Sequence, residues 1–211
     1  MKVIITGAGQ GTRLGMHMPK PLVKTCGKSI LEWQMEILDS ICEIEEVRLT
    51  VGYKGDKLAD FASKLSDKIK IFVNEEYATT SCSTSVAIAG SGLDETTLIL
   101  DGDVLITYKS VSSLLGKEFK VGVSSQRSFD NPVFATEENG FVKAFSREHG
   151  NLEWAGVAAF NPKLIIEGKY IYRSLEKHLP MKAQIIETFE IDVLEDLQMS
   201  EQWVQKYLIT D

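Results

Sequence analysis

The chain opens with a short apolar segment that runs directly into a glycine-rich turn. Lys2–Thr6 is rich in β-branched residues, which is typical of a buried strand. Residues 7–11, GAGQG, can adopt backbone angles that other residues avoid and let a ligand approach their N–H groups closely. The first acidic residue is Glu32, so residues 1–31 carry a charge of +5, from Lys2, Arg13, Lys20, Lys24 and Lys28. A cationic glycine loop predicts an anion site, with phosphate as the anion.

The rest of the chain is acidic. The 211 residues include 23 basic and 30 acidic ones, so the net charge is −7 and the part beyond residue 31 carries −12. Such a surface repels nucleic-acid phosphates, and we expect no nucleic-acid partner. Cys26, Cys42 and Cys82 are widely spaced without a CxxC pair, which favours free thiols in a reducing cytoplasm. No apolar stretch approaches about 18 residues, so we expect no membrane association.

Strand and helix patterns alternate through the first half of the chain. Short apolar runs predict strands, and a helical pattern begins at the capping-box pair Ser29 and Glu32. The predicted strands are Lys2–Thr6, Glu46–Val51, Ile69–Val73 and 97–100. This alternation up to residue 106 predicts right-handed crossovers and a parallel sheet that is covered on both faces.

The second half follows a different pattern. Short strand patterns separated by turn residues predict an antiparallel addition to the sheet. They lie at 119–124, 133–136, 141–145 and 154–160. A last strand is predicted at 183–189 and a final helix at 193–207. We therefore predict one α/β domain over residues 1–211, a three-layer αβα fold with a mainly parallel, Rossmann-like sheet and a small mixed or antiparallel addition.

The glycine loop differs from two common phosphate-binding motifs. The dinucleotide fingerprint GxGxxG needs a glycine where Thr12 stands, and no Gly-Lys-Ser/Thr follows as it does in a P-loop. Glycines alone also occur in plain turns. The block GAGQGTRL at 7–14, followed by PKPL at 19–22, is far more specific than the glycines by themselves.

This block resembles the signature of the nucleotidyltransferases that make NDP-sugars and related activated alcohols. Further segments match that family in the same order, namely GKSILE at 27–32, VGY at 51–53, DGD at 101–103 and EID at 190–192. The short chain and the EID block are most similar to the phosphocholine cytidylyltransferase-type branch. The resemblance spans nearly the whole chain and implies an enzyme that joins an NTP to a phosphorylated acceptor and releases pyrophosphate.

The resemblance also implies roles for individual residues. Arg13 and Lys20 would be catalytic, with Arg13 on the leaving pyrophosphate and Lys20 on the charge around the α-phosphate. Positioning and electrostatics can carry such a reaction, because the acceptor's phosphate is already anionic at pH 7. The implied nucleotide-binding residues are Gly7, Ala8, Gly9, Gly11, Thr12, Arg13, Lys20, Ser81, Ser85 and Asp101.

Aspartates supply a candidate metal site. Asp101 and Asp103 end an apolar strand, and ligands bind beyond the carboxyl ends of parallel strands. Hard carboxylates suit Mg²⁺, and the resemblance maps its two ligands onto Asp103 and Asp192. The alternatives are a plain surface turn for Asp-Gly-Asp, and a helix cap for Asp192, which has Glu195 three residues further on.

Two regions depart from the branch pattern. The choline-type branch has paired asparagines where Ser81 and Cys82 stand, and residues 79–85 are either a helix cap or a nucleotide contact. A choline headgroup favours an aromatic box, but Pro132 stands where the branch has a tryptophan. The candidate acceptor-binding residues are Lys143, Arg147 and Trp154; as alternatives, Trp154 is a core residue and the two basic residues are solvated.

The preferred hypothesis is a Mg²⁺-dependent cytidylyltransferase. It would use CTP and a phosphocholine-like, phosphoalcohol or phosphonate acceptor, with the 1–106 half binding the nucleotide and the 107–211 half binding the acceptor. The alternatives are a sugar-1-phosphate nucleotidyltransferase and a non-catalytic nucleotide-binding module. The sequence does not support a nicotinamide-dependent oxidoreductase, because Thr12 stands where the dinucleotide fingerprint needs a glycine. A cytoplasmic location and a homodimer are further expectations.

Overall fold

A large mixed sheet runs through the computed structural model, which describes residues 1–125 and 132–209. The strands are β1 (Lys2–Thr6), β2 (Lys24–Thr25), β3 (Lys28–Ser29), β4 (Glu46–Val51), β5 (Ile69–Val73), β6 (Thr97–Asp101), β7 (Val104–Ile106), β8 (Lys120–Ser124), β9 (Phe134–Glu138), β10 (Phe141–Ser146), β11 (Leu152–Phe160), β12 (Met181–Ile185) and β13 (Thr188–Glu190). The α-helices are α1 (Ile30–Ser40), α2 (Gly55–Leu65), α3 (Cys82–Ala89), α4 (Tyr108–Leu114), α5 (Ile171–Leu175) and α6 (Leu194–Tyr207).

The first half of the chain forms the parallel part of this sheet. The nine strands lie in the order β5-β4-β1-β6-β11-β8-β12-β10-β9, and the first four pair in parallel. The register places Val3 beside Val47 on one side and beside Leu98 on the other. The predicted α/β fold with a Rossmann-like sheet is confirmed.

The second half adds mostly antiparallel pairings. β11 pairs antiparallel with both β6 and β8, while β12 lies parallel to β8. β9 and β10 form a hairpin whose turn residues, Asn139 and Gly140, both have positive φ. Two such residues in succession suit the right-handed twist of a tight hairpin, as the turn signal in the sequence indicated.

The predicted strand at 183–189 is wrong as a single element. The structure divides it into β12 and β13, because Ile186 turns into the core and its N–H donates to Val123 O at 2.9 Å. The next N–H, that of Glu187, donates to Ser110 Oγ at 2.9 Å. β13 thereby leaves the large sheet and pairs antiparallel with β7 in a separate two-stranded sheet.

Alternate residues of the central strand β1 enter opposite core layers. Val3 and Ile5 pack with Leu31 and Leu58 from α1 and α2, whereas Ile4 faces the other way. A strand covered on both faces is expected at the centre of a parallel sheet. In the described part of the chain, no helix has the length and apolar character needed to cross a membrane.

Gly102 fixes how closely two strand ends approach each other. It lies in the turn after β6, and its N–H donates to Thr6 O at the end of β1, at 2.9 Å. A Cβ at residue 102 would lie 2.2 Å from that same oxygen and 3.0 Å from Pro21 Cγ. The contact leaves no room for a side chain, so a larger residue has to push the two strand ends apart.

We predict that Gly102→Ala lowers the free energy of unfolding by about 1–3 kcal/mol, the usual cost of overpacking. Urea denaturation measures this change. Gly9→Ala is the matched control in the adjoining loop, because a Cβ there meets nothing within 4 Å. We expect its effect to stay within about 0.5 kcal/mol. Equal losses in the two variants would contradict the close approach at Gly102.

Candidate active site

A cleft of about 440 Å³ opens beyond the carboxyl ends of β1 and β6. Ligands bind at this edge in open α/β sheets. The cleft is lined by every residue predicted to bind nucleotide or metal: Gly7, Ala8, Gly9, Gly11, Thr12, Arg13, Lys20, Ser81, Ser85, Asp101, Asp103 and Asp192. The structure brings these residues together, and their roles stay predictions.

The glycine loop, residues 7–11, is shaped by two close contacts. The N–H of Gly7 donates to Thr50 O at 3.0 Å, so this N–H is already hydrogen-bonded within the fold. Gly11 has a φ of +59°, and a Cβ there would lie 2.9 Å from Lys20 Cγ. The glycine at position 11 therefore both allows the turn and leaves room for the Lys20 side chain.

The small sheet of β7 and β13 brings two distant aspartates together. Its register pairs Glu190 with Val104, and the N–H of Ile191 donates to Asp103 O at 3.0 Å. Asp103 precedes β7 and Asp192 follows β13, so both side chains reach the cleft. Carboxylate oxygens of Asp103, Glu190 and Asp192 lie within 4.8 Å of one another. Glu190 was absent from the predicted site.

Two basic residues of the amino-terminal segment pair with these aspartates. Lys20 Nζ lies 2.7 Å from Asp103 Oδ2 and also contacts Asp192 Oδ1. Arg13 Nη2 lies 2.9 Å from Asp192 Oδ2 and 3.0 Å from its Oδ1. Lys20 and both aspartates are mostly buried, whereas about half of the Arg13 side chain is exposed. Arg13 thus stays accessible to a ligand in the cleft.

Asp192 does not cap the final helix. The capping carboxylate is Asp196, whose Oδ2 accepts hydrogen bonds from the N–H groups of Asp192 at 2.8 Å and Val193 at 2.9 Å. An acceptor in the first turn of a helix can satisfy the N–H groups of the residues that lead into the helix, as in a capping box. Asp196 therefore holds the backbone of residue 192 while the Asp192 carboxylate faces the two cations.

The crowded charges shift several pKa values. Burial lowers the pKa of Lys20, but the charges and hydrogen bonds of Asp103 and Asp192 outweigh it and raise this pKa above its ordinary value. Burial, and then the charge of Asp103, raise the pKa of Asp101 to about 7. The pKa of Glu190 is raised well above its usual range by desolvation and by the neighbouring carboxylates. The Glu190 side chain is exposed to the cleft, so the charges of the neighbouring carboxylates dominate this shift.

The hydroxyl-rich segment at 79–85 lies on the cleft wall. Ser81 Oγ donates to Lys169 O at 3.0 Å, whereas the buried Ser85 accepts a hydrogen bond from Asn74 Nδ2 at 3.1 Å. The same amide donates to Thr80 Oγ1 at 3.0 Å. Asn74 is a cleft residue that sequence reasoning missed. Asn74 directly follows β5, and a polar residue at the carboxyl end of a parallel strand is a sequence signal for ligand binding.

An aromatic wall, formed by Trp154, Tyr170 and Tyr172, lines the part of the cleft contributed by the second half. Tyr170 and Tyr172 stack with ring centroids 5.8 Å apart, and Arg147 lies over both rings. The two tyrosines were not predicted. Lys143 lies on β10 and does not line the cleft; its Nζ is 5.5 Å from the centroid of the Phe141 ring. Of the three predicted acceptor-binding residues, the cleft therefore brings together Arg147 and Trp154.

A family model described as a MobA-like NTP transferase domain matches residues 3–147. The chain belongs to the MobA-like NTP transferase family. The nucleotidyltransferase resemblance stated from the motifs is thereby confirmed at the level of the superfamily. As a member of this family the chain is a nucleotidyltransferase domain.

Relatives agree with this assignment. The "Bifunctional protein GlmU" of Methanococcus vannielii is 30% identical over 197 residues, which are 89% of this chain and 45% of that protein. The chain thus spans less than half the length of the curated relatives it matches. The inositol-1-phosphate CTP transferase from T. maritima has a TM-score of 0.75 at 18% identity, covering 95% of both chains. CTP:phosphocholine cytidylyltransferase (LicC) from Streptococcus pneumoniae has a TM-score of 0.79 at 19% identity, covering 96% of this chain and 98% of that one. At these identities the two structures establish a shared fold.

The raised pKa of Asp101 predicts that the MobA-like domain loses stability at alkaline pH. Its folded state binds this proton more tightly than the unfolded state, so stability is lost as pH rises from the ordinary value of 3.8 through about 7. Asp101→Asn removes the charge and can still accept the hydrogen bond from Thr6 Oγ1. In metal-free buffer at pH 8 we expect this variant to be more stable than wild type by about 1–3 kcal/mol, with the gain vanishing towards pH 4.

Urea denaturation across this pH range measures the effect. The control is Asp94→Asn, which removes an exposed carboxyl whose pKa is lowered by its hydrogen bond from Lys163. That variant should not gain stability at pH 8. A wild type that is as stable as Asp101→Asn at pH 8 would show that the Asp101 charge carries no such cost.

Proposed function

We propose that the chain transfers a nucleotidyl group from an NTP, with CTP favoured, to a small phosphorylated acceptor and releases pyrophosphate. The observation that carries this proposal is the meeting of Lys20 and Arg13 with Asp103 and Asp192 in one cleft. Cations suit the two polyanionic substrates, and carboxylates suit the metal that accompanies a triphosphate. The family membership supports the reaction class.

The acidic residues of the cleft fit a magnesium ion. Asp103 and Asp192 would hold it, with Glu190 as a third carboxylate, since their oxygens lie within 4.8 Å of one another. All three offer hard oxygen ligands, which Mg²⁺ prefers. When bound, Mg²⁺ supplies Lewis-acid stabilisation of charge on the phosphates.

The protein's own residues position and stabilise the reacting groups. An acceptor phosphate oxygen forms a bond to the α-phosphorus while the bond from that phosphorus to the β-phosphate's bridging oxygen breaks. Lys20, kept protonated by its two aspartates, balances charge at the α-phosphate, and the accessible Arg13 binds the leaving pyrophosphate. No strong base is required, because the acceptor oxygen is already anionic.

CTP is favoured because two proteins of the same fold are described as CTP-using transferases. Ser81, Ser85 and Asn74 are our candidates for contacts to the nucleotide. We assign nucleotide binding to the 1–106 half and acceptor binding to the 107–211 half of one domain. The cytoplasmic location and the homodimer stay predictions.

A substrate panel tests the proposed function. Each of the four NTPs is combined with phosphocholine, phosphoethanolamine, aminoethylphosphonate, inositol 1-phosphate and several hexose phosphates in the presence of Mg²⁺, and pyrophosphate release is measured. We expect release with CTP and at least one acceptor. Release only with hexose phosphates would favour the sugar-1-phosphate nucleotidyltransferase. No release from any pair would support a nucleotide-binding module instead.

The assigned roles predict large losses of turnover. Asp103→Asn and Lys20→Ala should each lower kcat about 100-fold or more, as the loss of one preorganised charged group does. The matched controls are Asp94→Asn and Lys24→Ala, which remove exposed charges outside the cleft and should leave kcat within about twofold. Near-normal turnover in Asp103→Asn or Lys20→Ala would remove that residue from its proposed role.

A further inference from the structure

Helix α1 carries one buried polar side chain that contacts the turn between β6 and β7. Gln34 has no exposed surface, while the other side chains that α1 buries are apolar or aromatic. Its Nε2 donates hydrogen bonds to Asp101 O at 3.0 Å and to Val104 O at 2.8 Å. Both N–H donors of the amide are therefore used on the two ends of the 101–104 turn. Asp103, the candidate metal ligand, lies between these two bonds.

The oxygen of the same amide has a different environment. Gln34 Oε1 is buried, and no described residue donates a hydrogen bond to it. An unpaired buried acceptor costs free energy, so this oxygen does not stabilise the fold. An apolar side chain of similar length, such as that of methionine, would avoid that cost. The two N–H donors are thus the feature that accounts for a glutamine at position 34.

The 101–104 turn is attached to two further segments through its backbone. The N–H of Gly102 donates to Thr6 O at 2.9 Å, and Asp103 O accepts from the N–H of Ile191 at 3.0 Å. These bonds attach the turn to the end of β1 and to the residue that follows β13. Gln34 adds the attachment to α1. The backbone that carries the Asp103 side chain is thus held by three separate segments of the chain.

We propose that Gln34 is a positioning residue, whose amide holds the 101–104 turn so that the Asp103 carboxylate faces Lys20 and the metal. This inference rests on the proposed function, because it takes Asp103 as a ligand of the magnesium ion. Gln34 itself does not line the cleft, so it acts through Asp103. Removing a group that orients a metal ligand typically lowers metal affinity about 10- to 100-fold.

The test compares wild type with Gln34→Met, which keeps the length of the side chain and removes both donors. With a non-hydrolysable CTP analogue present, the variant should bind Mn²⁺ at least about tenfold more weakly, as measured by electron paramagnetic resonance. In metal-free buffer its affinity for the analogue should stay within about twofold, because the glycine loop and Arg13 are unchanged. This split between metal and nucleotide distinguishes a displaced Asp103 from general damage to the fold.

Leu38→Ala is the matched control, because it removes packing atoms from the same helix and removes no hydrogen-bonding group. Leu38 is fully buried in the core. We expect this variant to unfold at a lower urea concentration than wild type and to bind Mn²⁺ as wild type does. Unchanged Mn²⁺ affinity in Gln34→Met, or an equal loss of Mn²⁺ affinity in Leu38→Ala, would overturn the inference.

Amide hydrogen exchange in the metal-free protein keeps this test separate from the proposed function. In Gln34→Met the N–H groups of Gly102 and Ile191 should exchange at least about tenfold faster than in wild type. The N–H of Gly7, which donates to Thr50 O, should keep its rate. Unchanged rates at both positions would overturn the inference. A wild type that bound no Mn²⁺ and released no pyrophosphate would instead count against the proposed function, and the exchange rates would still decide whether Gln34 holds the turn.

Discussion

Lys20 joins segments that are far apart in the chain, and the candidate site depends on this contact. Its ammonium group pairs with Asp103 and Asp192, which are 83 and 172 residues further along. The lysine comes from the segment after the glycine loop, and the aspartates come from one end of the antiparallel β7–β13 pair, where Asp103 precedes β7 and Asp192 follows β13. The contacts of Asp192 with Lys20 and Arg13 connect the 107–211 half of the chain to the 1–106 half.

The carboxylates concentrated in the cleft destabilise the folded chain, and they also form the candidate site. Asp101, Asp103, Glu190 and Asp192 crowd one region, and burial together with their mutual repulsion raises the pKa values of Asp101 and Glu190. A cation among them is favoured for the same reason. Repulsion among like charges is common at functional sites, where a bound ligand of opposite charge reduces it.

Local sequence patterns predicted much of the fold. The parts that the sequence did not predict depend on pairing between residues far apart in the chain. The apolar run Ile69–Val73 and the capping box of Ser29 with Glu32 appear in the structure as the sequence indicated, because neighbouring residues determine both. The β7–β13 pair left no such signal, since each strand has three residues and finds its partner across the chain. Glu190 was missed for that reason. Lys143 was selected on charge alone, which does not determine the direction of a side chain. The roles assigned to the predicted site residues await experiment.

We propose that the glycine loop and the two distant aspartates form one site, in which nucleotide and metal bind together. Calorimetric titration of a non-hydrolysable CTP analogue, with and without Mn²⁺ as a probe of the magnesium site, tests this proposal. We expect Mn²⁺ to tighten nucleotide binding at least about tenfold, with the reciprocal effect of the nucleotide on Mn²⁺ affinity. Equal nucleotide affinity in the presence and absence of the metal would contradict it.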